Sequence, residues 1–339
     1  MIPSPLRAAL HSHKRSRRAQ PVALREIHYV MGTLLDITLY HKTGEEAKRV
    51  LRGCFQQARC LEEVFSTYDD DSDLSQLNRH AGLGPLEISP ELWSVLDASL
   101  RLGRETDGAL DITLGPLIDL WRAAEEDGPP PSPASVADAL SQTGISKVDL
   151  LPDGSGQLQQ AGMRLDLGGI GKGYAVDRMK ALLVRGGVER AFINFGRSSL
   201  AAIGSPPDQE AWPVLLHGDD GDPVGIVHLR DHTLSASGSF GHSCQIGETR
   251  YGHLIDQRDG FPVRHRALGV AVARTATEAE ALTKALVIFG PEQGFAVLSR
   301  FSTAEGLLTL SNGSWITTSG FTDTVRFETE AVTSRKDIR

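Results

Sequence analysis

From Leu165 to Asp177 the chain sets four glycines (Gly168, Gly169, Gly171 and Gly173) between a short apolar run and a strong helical pattern. Backbone without Cβ atoms approaches a ligand closely, and the N–H groups that open a helix suit an anion. The segment therefore reads as a bend that holds a phosphorylated group. It is not a P-loop, because Asp166 and Gly173 stand where that motif needs its first Gly and its Ser or Thr. Nor is it a dinucleotide fingerprint, since Gly169, Gly171 and Gly173 are spaced two apart. A plain strand-to-helix turn is the competing reading.

Three further clusters carry groups able to do chemistry. Asp111 lies between Leu110 and Ile112, shortly after a helix end at Asp107 and Gly108. Burying an unpaired carboxylate is costly, so Asp111 is expected to pair with backbone N–H groups or a ligand. Between Tyr251 and Pro262, His253, Asp256 and Arg258 fall at a strand end beside a Gly260-Phe261-Pro262 turn. That grouping suggests a site loop, with His253 as a base or as a group that orients a phosphate. Glu280 and Thr283 are three apart on one helical face, a spacing that lets both oxygens face a Mg²⁺. Spacing alone favours two plainer readings: a capping box from Thr277 to Glu280, and an i, i+4 ion pair from Glu280 to Lys284.

The elements that must position these groups come as runs of strands and grouped helices, without regular βαβ alternation. Apolar and polar residues alternate from His28 to Tyr40, which predicts a half-buried strand. Thr43 and Glu46 have capping-box spacing ahead of an amphipathic helix running to about Phe65. Ser89-Pro90 opens a second helix that Gly108 closes. The stretch Pro129 to Pro133, after Glu125 to Asp127, predicts a surface loop. Two short strands between Lys147 and Asp166 lead to the glycine bend, and a helix from about Gly171 ends at Gly186-Gly187. Strands are then expected at Ala191–Phe195, Trp212–Leu216, Gly225–Leu229, Arg250–Ile255 and Ala267–Val272, with helices at Thr277–Phe289 and from Pro291. Strand runs with helices grouped between them predict an α+β fold.

With 339 residues, 40% of them hydrophobic and 23% charged, the chain has ample length for a sizeable core. A formal charge of −8 argues against generic nucleic-acid binding, which needs a basic face. Cys54, Cys60 and Cys244 form no C-x-x-C pair and read as reduced thiols of a cytoplasmic protein. Arg7, Lys14, Arg15, Arg17, Arg18 and Arg25 make a basic leader over residues 1–25, with no apolar stretch after them to form a secretory signal. No apolar run reaches the roughly 20 residues of a membrane span. The expected organisation is the leader, one domain over 26–328, and a polar tail over 329–339.

Taken in order, Met31 to Thr33, Phe65 to Tyr68 with Asp73 to Asn78, Asp107 to Trp121, Leu165 to Arg178, Tyr251 to Val263 and Thr275 to Gly290 resemble the ApbE-type flavin transferases, the FAD:protein FMN transferases. The resemblance implies a single large ApbE-like (T-fold-like) catalytic domain with mixed or antiparallel sheets and flanking helices. It implies FAD as substrate with Mg²⁺ at its diphosphate, and transfer of FMN to a Thr or Ser hydroxyl of a target flavoprotein with release of AMP. By motif position it implies FAD contacts at Met31, Tyr68, Ala109, Leu110, Asp111, Gly168, Tyr174 and Leu254. It implies His253 and Asp256 at the reacting phosphate, and a metal held at Gly171, Glu280, Thr283 and position 284, here Lys284. The acceptor is expected to be a cytosolic flavoprotein or flavoprotein domain.

The chain departs from that pattern at several places. The family usually has Asp at the position of Glu280 and Thr at that of Lys284, and an ammonium cannot ligate and repels a divalent ion. The family's Asn-x-Gly-Gly-Asp stretch reads Asn194 to Ser198 with Arg197 inside it, and its Ser-Gly-Asp-Tyr stretch reads Ser237-Gly238-Ser239-Phe240. Loss of acidic groups with gain of Lys284 and Arg197 makes the expected pocket more cationic. Two outcomes follow: the added cations neutralise the diphosphate and weaken metal dependence, or the chain binds flavin without turning it over.

Overall fold

The computed structural model describes residues 21–127, 129–218, 221–241, 243–246 and 249–329. Residues 1–20 of the expected leader and 330–339 of the expected tail lie outside the described residues, as does Gly128 of the proline-rich stretch.

Strands β1 (Val22–Val30) and β2 (Thr33–His41) form an antiparallel hairpin. The expected single strand from His28 to Tyr40 is thus two strands, because the alternation continues on either side of a reversal at Met31 and Gly32. Both turn residues have positive φ, 49° and 71°, a left-handed conformation that is uncommon for Met. Strand β1 also takes up Val22 to Arg25, the last residues of the expected leader. Helix α1 (Gly44–Phe65) follows, with the Thr43 hydroxyl accepting the Glu46 N–H. Its buried residues Ala47, Leu51, Cys54, Ala58, Leu61 and Phe65 repeat at helical spacing.

Helix α2 (Asp73–Arg79), strand β3 (Leu86–Glu87) and helix α3 (Pro90–Glu105) come next, α3 starting on a Ser89 cap with Pro in its first turn. The chain leaves α3 through Asp107, also at positive φ (52°), whose carboxylate is held by Arg300 at 2.7 and 2.8 Å. Helix α4 (Gly115–Asp127) runs through the acidic stretch, and α5 (Pro133–Ser141) begins on a Ser132 cap. The expected proline loop is therefore shorter than its composition suggests: Pro133 opens a helix, the position where a missing N–H costs nothing.

Strands β4 (Val148–Leu150) and β5 (Ser155–Leu158) form a small sheet with β3, β5 lying between the other two, and lead to α6 (Gly171–Arg185), as expected. Strands β6 (Arg190–Phe195), β7 (Ser199–Ile203), β8 (Trp212–His217), β9 (Pro223–Leu229), β10 (Thr233–Gly238), β11 (Ser243–Ile246), β12 (Thr249–Gly252) and β13 (Leu268–Ala273) precede α7 (Ala276–Leu298), which is kinked at Gly290. The chain closes with β14 (Glu305–Thr309), β15 (Trp315–Thr317), α8 (Phe321–Thr324) and β16 (Arg326–Glu328).

An eight-stranded sheet of order β1-β2-β6-β7-β10-β13-β14-β15 is the centre of the molecule, and its ladders are antiparallel throughout. One face carries Leu35, Ile37, Leu39, Ile193 and Phe195 against α1 and α6. The other carries Leu200, Leu234, Val270 and Leu307 against Trp212, Val214, Val227 and Leu229 of the small sheet β16-β9-β8. Packing on both faces explains the α+β layering. Burial pushes the Cys54 thiol up to about 12, which keeps it protonated and inert.

The Asp177 carboxylate on α6 accepts the Ala276 and Thr277 N–H groups at 2.8 and 2.9 Å, and the Thr277 hydroxyl. Thr277 is therefore not the helix cap that its spacing to Glu280 suggests; Thr275 is, accepting the Glu278 N–H. At Gly173 a Cβ would stand 2.7 Å from the Ala276 carbonyl oxygen and 3.1 Å from Glu280 Cδ. Two predictions test this junction. Asp177→Ala leaves two buried N–H groups of α7 uncapped and is expected to cost about 1–3 kcal/mol in urea unfolding. Gly173→Ala is expected to cost about 1–3 kcal/mol by forcing the helices apart, read in the same way.

Candidate functional site

A cavity of about 1280 Å³ opens over the start of α6. The β1–β2 turn, the end of α1, the segment after α3, the glycine bend, α7 and the His253 loop contribute its walls. Of the residues implied by the resemblance, Met31, Tyr68, Ala109, Leu110, Asp111, Gly168, Gly171, His253, Leu254, Glu280 and Lys284 all line it. Residues far apart in sequence thus reach one space.

The glycine bend is built by backbone hydrogen bonds. The Asp166 N–H donates to Ile112 O at 2.8 Å, tying the bend to the Asp111 segment. The Gly168 N–H turns back onto Asp166 Oδ1 at 2.8 Å. Helix α6 then starts at Gly171 with no side chain capping its first turn. Gly171 and Lys172 of that first turn line the cavity, and although the Gly171 N–H is taken by Leu167 O at 2.7 Å, the positive end of the helix dipole suits an anion there.

Asp111 meets the sequence expectation: its Oδ1 accepts the Thr113 N–H at 2.7 Å and the Thr113 hydroxyl. Burial still outweighs those bonds and raises its carboxyl above the ordinary range. Met31 is held in its left-handed turn by donating its N–H to Glu62 Oε1 at 2.5 Å. Tyr68 is exposed on the rim, with the Arg122 guanidinium 5.7 Å from its ring centre.

Glu280 and Lys284 sit one turn apart on α7 and are 2% and 9% exposed. Glu280 Oε1 accepts from the Ser199 hydroxyl, whereas its Oε2 is buried with no hydrogen-bond partner among the described residues. The Lys284 stem lies against the glycine bend, where a Cβ on Gly169 would stand 3.6 Å from Lys284 Cε. Burial lowers the Lys284 ammonium to about 8; Glu280 opposes that shift and Lys172 adds to it.

The four positions expected to hold Mg²⁺ do not assemble as a donor set. Thr283 is fully buried, is not part of the cavity wall, and spends its hydroxyl proton on Glu280 O at 2.8 Å. Lys284 places an ammonium where a ligand oxygen is needed. Among the described residues no group of three His, Cys, Asp or Glu side chains is arranged to hold a metal. Mg²⁺ takes oxygen ligands, so the ammonium at position 284 removes one protein ligand from the expected set and repels the ion, and the set as it stands does not suit Mg²⁺.

Two other expected site residues fall behind the wall. The Asp256 carboxylate is bound by the Arg258 guanidinium, with contacts from 2.5 to 3.0 Å, and by the Arg258 N–H. It shapes the loop that carries His253. Tyr174 is packed edge-on against Phe65, 5.9 Å between ring centres, and supports a cavity residue. Conversely, Glu62, Lys172 and Arg122 line the cavity without having been singled out in the sequence. The signal for Lys172 was present, because it sits inside the glycine segment; that for Glu62 required knowing that the Met31 turn folds onto α1.

The ApbE family model matches residues 31–308. The FAD:protein FMN transferase of Salmonella typhimurium is 29% identical over 279 residues, covering 80% of this chain and 79% of that protein. The Escherichia coli protein of the same name is 31% identical over 265 residues, 76% of this chain and 75% of its own. Among solved structures, the ApbE protein of Thermotoga maritima superposes with a TM-score of 0.80 at 25% identity, over 90% of this chain and 99% of that one. The matched span contains every element that lines the cavity, and on these grounds the chain belongs to the ApbE family.

Proposed function

We propose that this chain binds FAD in the cavity and transfers its FMN half to a Thr or Ser hydroxyl of a target flavoprotein, releasing AMP. One observation carries the reading: a single cavity unites the uncapped start of α6 with two lysines and His253. In this reading the diphosphate lies against the glycine bend, where Lys284 and Lys172 face its charge. Met31, Tyr68, Ala109, Leu110, Asp111, Gly168 and Leu254 hold the remainder of the dinucleotide. The acceptor oxygen forms a bond to the phosphorus of the FMN half. The bond from that phosphorus to the bridging oxygen breaks, and AMP leaves with that oxygen. The hydroxyl proton passes to His253 as base, a role supported by its lining the same cavity. Such a reaction needs mainly positioning and charge neutralisation, which the bend and its cations supply. No step runs through Mg²⁺, because an ammonium stands in the expected donor set.

Among the described residues no helix is long and apolar enough to cross a membrane. The acceptor in this reading is a cytosolic flavoprotein or flavoprotein domain. A second reading, a flavin-binding protein without turnover, draws on the same absence of a metal donor set.

FAD is expected to bind at least about tenfold more tightly than FMN by fluorescence titration, the added affinity coming from charge-assisted contacts to the second phosphate. Equal affinities would place the diphosphate elsewhere. Incubation with FAD and a flavoprotein acceptor is expected to give fluorescence that survives denaturation. His253→Ala is then expected to lower the transfer rate by about 10²–10⁴-fold while FAD affinity changes little. Bound FAD with no covalent product under any condition would select the second reading.

A further inference from the structure

We propose that the Lys284 ammonium is a built-in replacement for the divalent cation at the flavin diphosphate, so that this chain binds FAD and transfers FMN without a metal ion. The inference rests on the flavin reading above and deepens it.

Three observations carry it. First, Lys284 is a nearly buried cation on the cavity wall, and among the described residues no hydrogen bond engages its ammonium. A charge in that position is costly unless a partner arrives. Glu280 is the nearest compensation, yet one of its oxygens serves Ser199 and the other is orphaned. Second, the lysine stem packs on Gly169, which puts the cation beside the glycine bend that leads into the positive end of α6. An anion placed there meets both at once. Third, a lysine stands where the expected set needs an oxygen, and Thr283 is fully buried and off the cavity wall, which leaves Glu280 as the one side chain of that set with an oxygen on the wall.

Lys172 lies on the same wall and acts on Lys284 as a like charge. Two cations held close together are a poor arrangement for an empty protein and a good one for a diphosphate, whose charge relieves their repulsion. The chemistry balances without a metal. The acceptor O–P bond forms as the P–O bond to AMP breaks, the negative charge moving to AMP stays against Lys284, and the proton leaves to the base.

The test measures FAD affinity directly, with the full chain, in excess EDTA and in excess Mg²⁺. The wild-type dissociation constants are expected to agree within about twofold, less than 0.5 kcal/mol of metal contribution. Lys284→Met is expected to weaken FAD binding about 10–100-fold in both conditions, the effect of losing one charge-assisted contact. Lys284→Thr restores a hydroxyl oxygen and is expected to lose affinity in EDTA and recover it in Mg²⁺. Covalent flavin transfer by the wild type in EDTA is a further expected result. Wild-type FAD binding that appears only with a divalent ion would overturn the inference and leave the flavin reading intact. A folded Lys284→Met protein that binds FAD as tightly as the wild type would do the same. Failure to bind FAD in either condition would overturn the flavin reading, and this inference with it.

Discussion

The junction of α6 with α7 governs the rest of the molecule. Asp177 binds the first N–H groups of α7 from the side of α6, and the missing side chain at Gly173 lets the α6 backbone approach the Ala276 backbone of α7. This contact fixes the N-terminus of α6, which ends the glycine bend, relative to Glu280 and Lys284 one and two turns into α7. Without it Lys284 and the start of α6 would sit on separate, independently moving elements. The sheet beneath supplies the stiffness, since α7 packs on β13 and β10 while α6 packs on α1. Catalytic geometry held by regular elements tolerates far less drift than geometry held by loops.

That rigidity explains why the chain tolerates charge in its interior. Glu280, with one unsatisfied oxygen, and Lys284, with no acceptor among the described residues, both carry desolvation costs. Neither is a residue that packing alone would place there, and a Met and a Leu would fill the same volume more cheaply. Their presence together on the cavity wall, beside the glycine bend, is strain of the kind that functional sites retain. Met31 and Asp107 show the backbone counterpart. Both hold left-handed conformations, both are anchored by a charged side chain from elsewhere, and each adjoins a cavity segment.

Much of this was legible in the sequence. Helix starts carry their signals locally, so Thr43 and Ser89 announced α1 and α3, and the glycine segment announced α6. Strand positions followed from alternation at β6, β8, β9 and β13. The misreadings share one cause, which is that a pattern does not say which partner a side chain takes, near or far along the chain. Alternation through Met31 and Gly32 does not reveal a reversal, because the turn is held by Glu62. Thr277 has perfect capping spacing to Glu280, yet Asp177, 100 positions away, claims its hydroxyl. Asp256 has the right neighbour in His253 and is taken by Arg258, two residues on. The cavity residues were found because several motifs in fixed order constrain one another more than any single motif does.

A tethered ammonium and a free divalent ion solve the same electrostatic problem differently. Mg²⁺ brings two charges but gives up its water reluctantly, so it keeps several waters and needs room as well as a carboxylate or two from the protein. Lys284 brings one charge, fixed by α7 and already stripped of most of its water by burial. Its deficit is one unit of charge, and Lys172 on the neighbouring turn of α6 is placed to make that up. The overall charge of −8 does not oppose this, because it is spread over a solvated surface where salt screens it. Inside the cavity the few nearest groups decide the potential. Two lysines on two helices, locked together through Asp177, present to a diphosphate a paired positive charge whose spacing the fold itself determines.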